Sequence, residues 1–347
     1  MVVAFEDASA EGQTTAATQR TARGNPVAPV GSRCISDFTG DSHVIEQPEE
    51  DVGLQTVRRD LVGRPDLSQL IGDAVEDSIF YVLDGYRTHR FDLLDERVEA
   101  DERRTVGTKL QYHLLDNLGL EKKRHPDTEI AGVPVDVKGT ATTDGSQSWM
   151  IPREGQCELC LLVHVDLVRD RHRAWLMRTH RAFLHNGDGN GDRKRGISVP
   201  AFNTYSVPLY EWTPLRPNPL KGLSEPDRAV VFGSAGQETR LKALFRAAAE
   251  TVIPRGVILT VCANRADPMR RVRATRVDMA REGLALLCGT WTSHRQLADV
   301  LAFDLTGEAW VAVAMSKVLG HGELTGQVLE QMRRGLRDEA DRKLFEP

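Results

Sequence analysis

The sequence predicts an α/β (α+β) protein: helices and strands in a first domain, followed by a smaller domain rich in helical pattern. Three observations carry this. A chain of 347 residues is long enough for two domains of ordinary size. The first half interleaves helical stripes with segments of strand alternation. The second half opens on an amphipathic helix and continues in helical patterns.

Taken in order, residues 1–50 are rich in Ala, Thr, Ser, Gly and acids and lack periodicity. They are expected to form a disordered or loosely attached extension. Residues 51–199 are expected to form the first domain. Leu67, Leu70, Ile71, Val75, Ile79 and Val82 follow a helical stripe. Thr108–Leu118 reads as a helix with Leu110, Leu114 and Leu118 on one stripe, and Gln111 lies beside that stripe. Leu159–Asp166 and Arg173–Met177 read as strands, and Trp149–Pro152 as a strand or its edge. Asn186–Asp192 superficially looks like a calcium loop, but the Glu that closes an EF-hand is missing at the required spacing. Six prolines between residues 200 and 226 suggest that 200–233 is a linker.

Residues 234–347 are expected to form the second domain. Gln237–Val252 is a helix with Leu241, Leu244, Phe245 and Ala248 on its apolar face, ended by Pro254. Gly256–Ala263 is a strand or a buried helical segment. Asp267-Pro268 opens a further helix with a capping acid and a first-turn proline, and this helix carries Arg270, Arg271, Arg273 and Arg276. These four arginines are candidates to contact phosphates or base edges. Ser293–Leu301 is a second candidate helix-turn-helix element, and the sequence does not choose which helix enters a groove. Leu324–Phe345 is expected to be one charged helix, packed at a dimer interface or on its own domain.

The chemistry concentrates in Asp127-Thr-Glu-Ile-Ala-Gly-Val-Pro-Val-Asp136-Val-Lys138. Val133, Val135 and Val137 alternate with Pro134, Asp136 and Lys138. The valines are therefore expected to face a core, while Asp136 and Lys138 share the other face. Ala131-Gly132 fits a two-residue turn. That turn sets Asp127 opposite Asp136, with Cβ atoms about 5 Å apart. Two carboxylates this close repel unless a cation lies between them, and oxygen donors favour a hard ion such as Mg²⁺. Lys138 can reach a phosphate oxygen or an attacking water on the same face. Asp-X-Lys alone is more often a solvated strand edge; the preceding Asp at hairpin distance strengthens the metal-site reading. Gln111 is either a boundary residue of its helix or a side chain pointing at this hairpin.

Composition excludes several classes. Five cysteines, an odd number, argue against a secreted disulfide framework. Cys157-X-X-Cys160 has no second pair at zinc-like spacing and reads as core packing. No run approaches the ~18–20 apolar residues of a membrane span. Glu6 and Asp7 stand where a signal peptide would be basic, so a cytoplasmic protein is expected. Net charge is −5, yet its distribution is uneven. Residues 1–101 hold twenty acids against nine bases, whereas residues 236–281 hold ten bases against four acids. The latter suits a local phosphate-binding surface or, more blandly, a solvated helix face.

These residues resemble a known family. Leu83-Asp-Gly-Tyr-Arg87-Thr-His-Arg90, Val106-Gly-Thr-Lys, the Asp127–Lys138 block and Trp149-Met-Ile-Pro152 are similar to the NaeI-type restriction endonucleases. Further on, Arg240–Phe245, Arg255–Val261 and Met269–Arg273 look like that family's second domain. Together the blocks span roughly residues 75–285, in the family's order. The resemblance implies a PD-(D/E)XK nuclease domain, a mixed sheet flanked by helices, similar to the mismatch-repair nicking enzyme MutH. It implies a following winged-helix/helix-turn-helix domain resembling that of catabolite activator protein. It also implies a homodimer, Mg²⁺ dependence, and two copies of a double-stranded DNA site, one acting as effector. The metal carboxylates fall on Asp127 and Asp136, with the Val137 carbonyl as a further ligand, and the catalytic lysine falls on Lys138. Products with 5′-phosphate and 3′-hydroxyl ends follow. The family's helix glutamate falls on Gln111, whose neutral amide supplies neither charge nor a base. Glu129 offers partial compensation. The resemblance therefore leaves three outcomes: a double-strand endonuclease, a nicking enzyme, or a DNA-binding regulator with weakened cutting.

Overall fold

The computed structural model describes residues 27–185, 193–263 and 266–346. The first half builds β1 (Arg33–Ile35), β2 (Ser42–Val44), α1 (Val52–Val62), α2 (Leu67–Leu83), α3 (Gly85–Thr88) and α4 (Ala100–Asn117). Then come β3 (Thr128–Ile130), β4 (Val133–Thr142), β5 (Met150–Ile151), β6 (Leu159–Asp166), β7 (Arg171–Arg178) and β8 (Arg195–Gly196). The sequence after this continues through α5 (Val199–Tyr205), β9 (Val207–Pro208), β10 (Thr213–Pro214) and α6 (Glu225–Val231).

The main sheet has the order β10-β7-β6-β4-β3, with β9 also on β7. It is mixed: β4 and β6 run parallel, whereas β3–β4 and β6–β7 are antiparallel. Every residue of β6 is buried, as a central strand covered on both faces requires. One face packs on α1, α2 and α4 through Val135, Val137, Leu161 and Val163 against Leu54, Ile71, Leu110 and Leu114. The opposite face, with Cys160, Leu162, Trp175 and Met177, meets Trp149, Phe183, Phe202 and Tyr205.

α4 starts eight residues before the predicted Thr108, because Glu99 and Glu102 form a capping box at its N-terminus. It can lie close on β4 because two glycines meet at the crossing. A Cβ on Gly107 would stand 2.4 Å from the Gly139 carbonyl oxygen.

Three expectations are corrected here. Residues 27–50, expected to be unstructured, form the β1–β2 ribbon, which buries Cys34 and Ile45 in the second core. Residues 1–26 lie outside the described residues, as does the loop 186–192. The expected linker 200–233 is built into the fold. Pro200 and Pro226 sit in the first turns of α5 and α6, where the missing N–H costs nothing, and Val207–Pro208 and Thr213–Pro214 pair with β7. The expected C-terminal helix is two, because the chain turns at Gly335 (φ 78°).

The second half comprises α7 (Gln237–Ala247), α8 (Arg255–Val261), α9 (Pro268–Arg281), β11 (Leu284–Cys288), α10 (Thr292–Val300) and β12 (Trp310–Ala314), then α11 (Met315–Val318), α12 (Glu323–Arg333) and α13 (Glu339–Lys343). Gly256–Ala263 is thus helical over most of its length. β11 and β12 are antiparallel, and Ile253 bridges to Trp310 on the far side of β12. Alternation splits their side chains. Leu286, Cys288, Trp310 and Ala312 pack with α7, α8 and α9, while Leu287, Val311 and Val313 pack with α10 and α12. Val328, Leu329, Met332 and Phe345 are buried there, so the C-terminal apolar residues cover their own domain. No helix of the described residues is long and apolar enough to cross a membrane.

Gly107→Ala is expected to destabilise the fold by about 1–3 kcal/mol, because its methyl meets backbone that cannot rotate away. Gly326→Ala, exposed inside α12 where nothing lies within 4 Å, is the control and is expected to be neutral or stabilising by up to about 1 kcal/mol. Equal denaturant midpoints for the two would contradict the close crossing.

Candidate active site

The hairpin has the expected register, with Ile130 opposite Val133, Glu129 opposite Pro134 and Thr128 opposite Val135. Ala131 and Gly132 both adopt positive φ, 50° and 78°, as a tight hairpin turn demands. β3 is only three residues long. From Asp136 onward, that edge of β4 has no strand partner among the described residues. A cleft opens along this free edge, lined by Asp127, Asp136, Val137 and Lys138 together with Gln111, Lys122 and Glu154.

The two acids are buried, Asp127 to 6% exposure and Asp136 to 2%. Their carboxyls hydrogen-bond each other. Lys138 Nζ lies 2.7 Å from Asp136 Oδ2 and 3.8 Å from Asp127 Oδ2. The Val137 amide donates to Asp127 Oδ2 at 2.9 Å, which satisfies a backbone group that the short β3 leaves unpaired. Lys122 Nζ sits 2.5 Å from Asp127 Oδ1.

These contacts drive the two acids apart in acidity. Burial raises the Asp136 pKa to about 6; Asp127 adds to the rise and Lys138 opposes it. Burial also pushes Asp127 upward, but the Asp136 carboxyl, Lys122 and the Val137 amide outweigh it and leave Asp127 below its usual range. For Lys138, burial favours the neutral amine, yet Asp136 prevails and raises its pKa. Lys138 is therefore a cation at neutral pH, suited to orienting water and stabilising negative charge rather than to accepting a proton.

The donor set fits a hard divalent cation: two opposed carboxylates, with the Val137 carbonyl 3.3 Å from Lys138 Nζ. Gln111 lines the cleft and brings no charge. Glu129 does not line it; it is exposed and pairs with Lys123, so the expected compensation for Gln111 is absent. Sequence reading missed Lys122, which lies in a basic run that resembles a solvated patch. It also missed Glu154, whose partner is His125 at 3.3 Å, and Cys160, whose sulfur is 3.9 Å from Asp136 Oδ2.

The four arginines all lie on α9, outside this cleft. Asp267 caps that helix through the Arg270 amide. Arg270 and Arg271 are exposed, and Arg271 pairs with Glu238 at 3.0 Å. Arg273 is half-buried. Arg276 is turned inward and donates to the carbonyls of Met332 and Arg334, which ties the end of α12 to α9.

A mixed sheet whose open edge carries two carboxylates and a lysine is compatible with a nuclease. The family model described as Restriction endonuclease NaeI matches residues 59–323, more than half of the chain. The chain belongs to that family and is a type II site-specific deoxyribonuclease acting on double-stranded DNA. No curated protein matches it.

A raised carboxyl pKa means that the folded state holds the Asp136 proton up to about pH 6, so stability falls as pH rises from the ordinary 3.8 to about 6 and is level above that. A cation in the cleft must displace this proton. The divalent-cation concentration for half-maximal occupancy of the cleft is therefore expected to rise about tenfold per pH unit as pH falls below 6. Cation-binding titrations across about pH 5 to 7.5 check this, and a flat cation requirement would contradict it.

Proposed function

We propose that this chain is a Mg²⁺-dependent restriction endonuclease whose cutting centre is Asp127, Asp136 and Lys138. The observation that carries the proposal is the convergence of these three groups on one open strand edge. Asp127, Asp136 and the Val137 carbonyl would hold the ion. Its chemistry, when bound, is charge for the scissile phosphate and acidification of the attacking water. Lys138, fixed against Asp136, orients that water and faces the charge that builds on phosphorus. With the ion bound, Lys122, which here pairs with Asp127, would be free to meet a phosphate oxygen. Gln111 holds a water through its carbonyl oxygen and adds no charge. Inversion by water at the 5′ phosphate gives 5′-phosphate and 3′-hydroxyl ends.

The second half is proposed as the DNA-reading domain. α8, its turn and α9 follow one another as a helix-turn-helix does, and the Ile253, β11 and β12 segments supply the short sheet of a winged helix. α9 is the groove helix in this reading, with Arg270, Arg271 and Arg273 toward phosphates and base edges. The proposal includes a homodimer that engages two copies of its site, one as effector, in the cytoplasm.

Lys138→Ala is expected to abolish cutting of a cognate plasmid while mobility-shift binding persists. Wild-type cutting by that variant would contradict the assignment, and nicked circles alone from the wild type would convert it to a nicking enzyme. Gln111→Glu adds a third acid and is expected to lower the Mg²⁺ requirement about tenfold. An unchanged requirement would remove Gln111 from the metal's surroundings. Arg270→Ala is expected to weaken DNA binding and to shallow its salt dependence by about one counterion. An unaltered salt slope would take α9 off the DNA.

A further inference from the structure

A second cluster lies in the other core, away from the cleft's open edge. Cys34 comes from the ribbon strand β1, Cys157 from the turn before β6, and His180 from the turn after β7. All three are at least nine-tenths buried, at 3%, 1% and 3% exposure. Their ligand atoms lie within 4.8 Å of one another. The two sulfurs are 3.7 Å apart. Two thiolates on one tetrahedral zinc, with Zn–S about 2.3 Å, stand about 3.8 Å apart. The Ala182 amide donates to Cys34 Sγ at 3.3 Å, the kind of outer hydrogen bond that steadies a ligating thiolate. His180 Nδ1 is buried and has no hydrogen-bond partner among the described residues.

We propose that Cys34, Cys157 and His180 bind a structural Zn²⁺, with the fourth position left to a small ligand such as water. Binding releases the two thiol protons to solvent. The site joins three segments far apart in sequence and fastens the ribbon to the turn Arg153–Gln156. Asp37 reinforces that junction by donating its amide to Gln156 Oε1 at 3.0 Å and pairing with Arg181 at 2.6 Å. The fastened turn is a wall of the cleft, since a Cβ on Gly155 would stand 3.3 Å from Asp136 Oδ2. Zinc in this position is structural and distinct from the cation at Asp127 and Asp136. Soft sulfur and imidazole donors favour it over Mg²⁺.

The test is the metal content of the full chain, purified under reducing conditions without chelator and measured by mass spectrometry. About one zinc per chain is expected, falling toward zero in Cys34→Ala and in His180→Ala. Asp136→Ala is expected to keep the zinc, which separates this site from the cleft. Should the cysteine variant fail to fold, Co²⁺ exchange into the wild type reports instead, through a thiolate-to-cobalt charge-transfer band. A folded wild type that holds no zinc and gives no such band overturns the proposal. So does zinc that Asp136→Ala removes and Cys34→Ala leaves in place.

Discussion

Two like charges have to be held side by side in a buried hairpin without unfolding it. Asp136 lies on β4, covered on both faces, and Asp127 sits at the mouth of the neighbouring strand. Burial penalises both charges, and mutual repulsion adds to the cost. The compensation comes from Lys138, Lys122 and the Val137 amide. The shortness of β3 makes this possible, because it frees both the Val137 amide and the strand edge. A full-length β3 would satisfy the backbone and close the cleft. The same edge that supplies partners to the carboxylates is therefore the one along which the cleft opens.

The surrounding fold serves that edge from both sides. α4 reaches close enough to bring Gln111 into the cleft only because Gly107 and Gly139 let backbone meet backbone. On the other face, the ribbon and the Arg153–Gln156 turn back the Asp136 carboxyl. The two halves of the chain are joined through Arg216. Its guanidinium pairs with Asp73 and Glu76 of α2 and donates to the Thr306 carbonyl of the second half at 3.2 Å. Gly256 of α8 lies against the Phe80 ring of α2, so the second half packs directly on a helix of the first.

The features legible in the sequence were those set by local periodicity. Period-two alternation and a turn pair at Ala131-Gly132 located the hairpin, its register and the shared face of Asp136 and Lys138. A spacing of four located α4 and, beside its stripe, Gln111. Less legible were features fixed by partners distant in the chain. Prolines read as a linker act as first-turn residues at Pro200 and Pro226 and as edge-strand residues at Pro208 and Pro214. The ribbon at Arg33–Val44 carries no periodicity of its own and is ordered by the core it covers. Cys157 pairs in space with Cys34, 123 residues away, rather than with Cys160, so its local motif misdirects. Arg276 looked equivalent to its neighbours on α9, yet packing turns it toward α12.

The most direct measurement is digestion of diverse unmethylated DNA by the purified protein in Mg²⁺, followed by mapping of the ends. Discrete fragments carrying 5′-phosphates, all cut at one sequence, are the result expected of a competent Asp127–Asp136–Lys138 centre. DNA that is retarded but uncut at every Mg²⁺ concentration would contradict it and leave a scaffold that binds without cleaving.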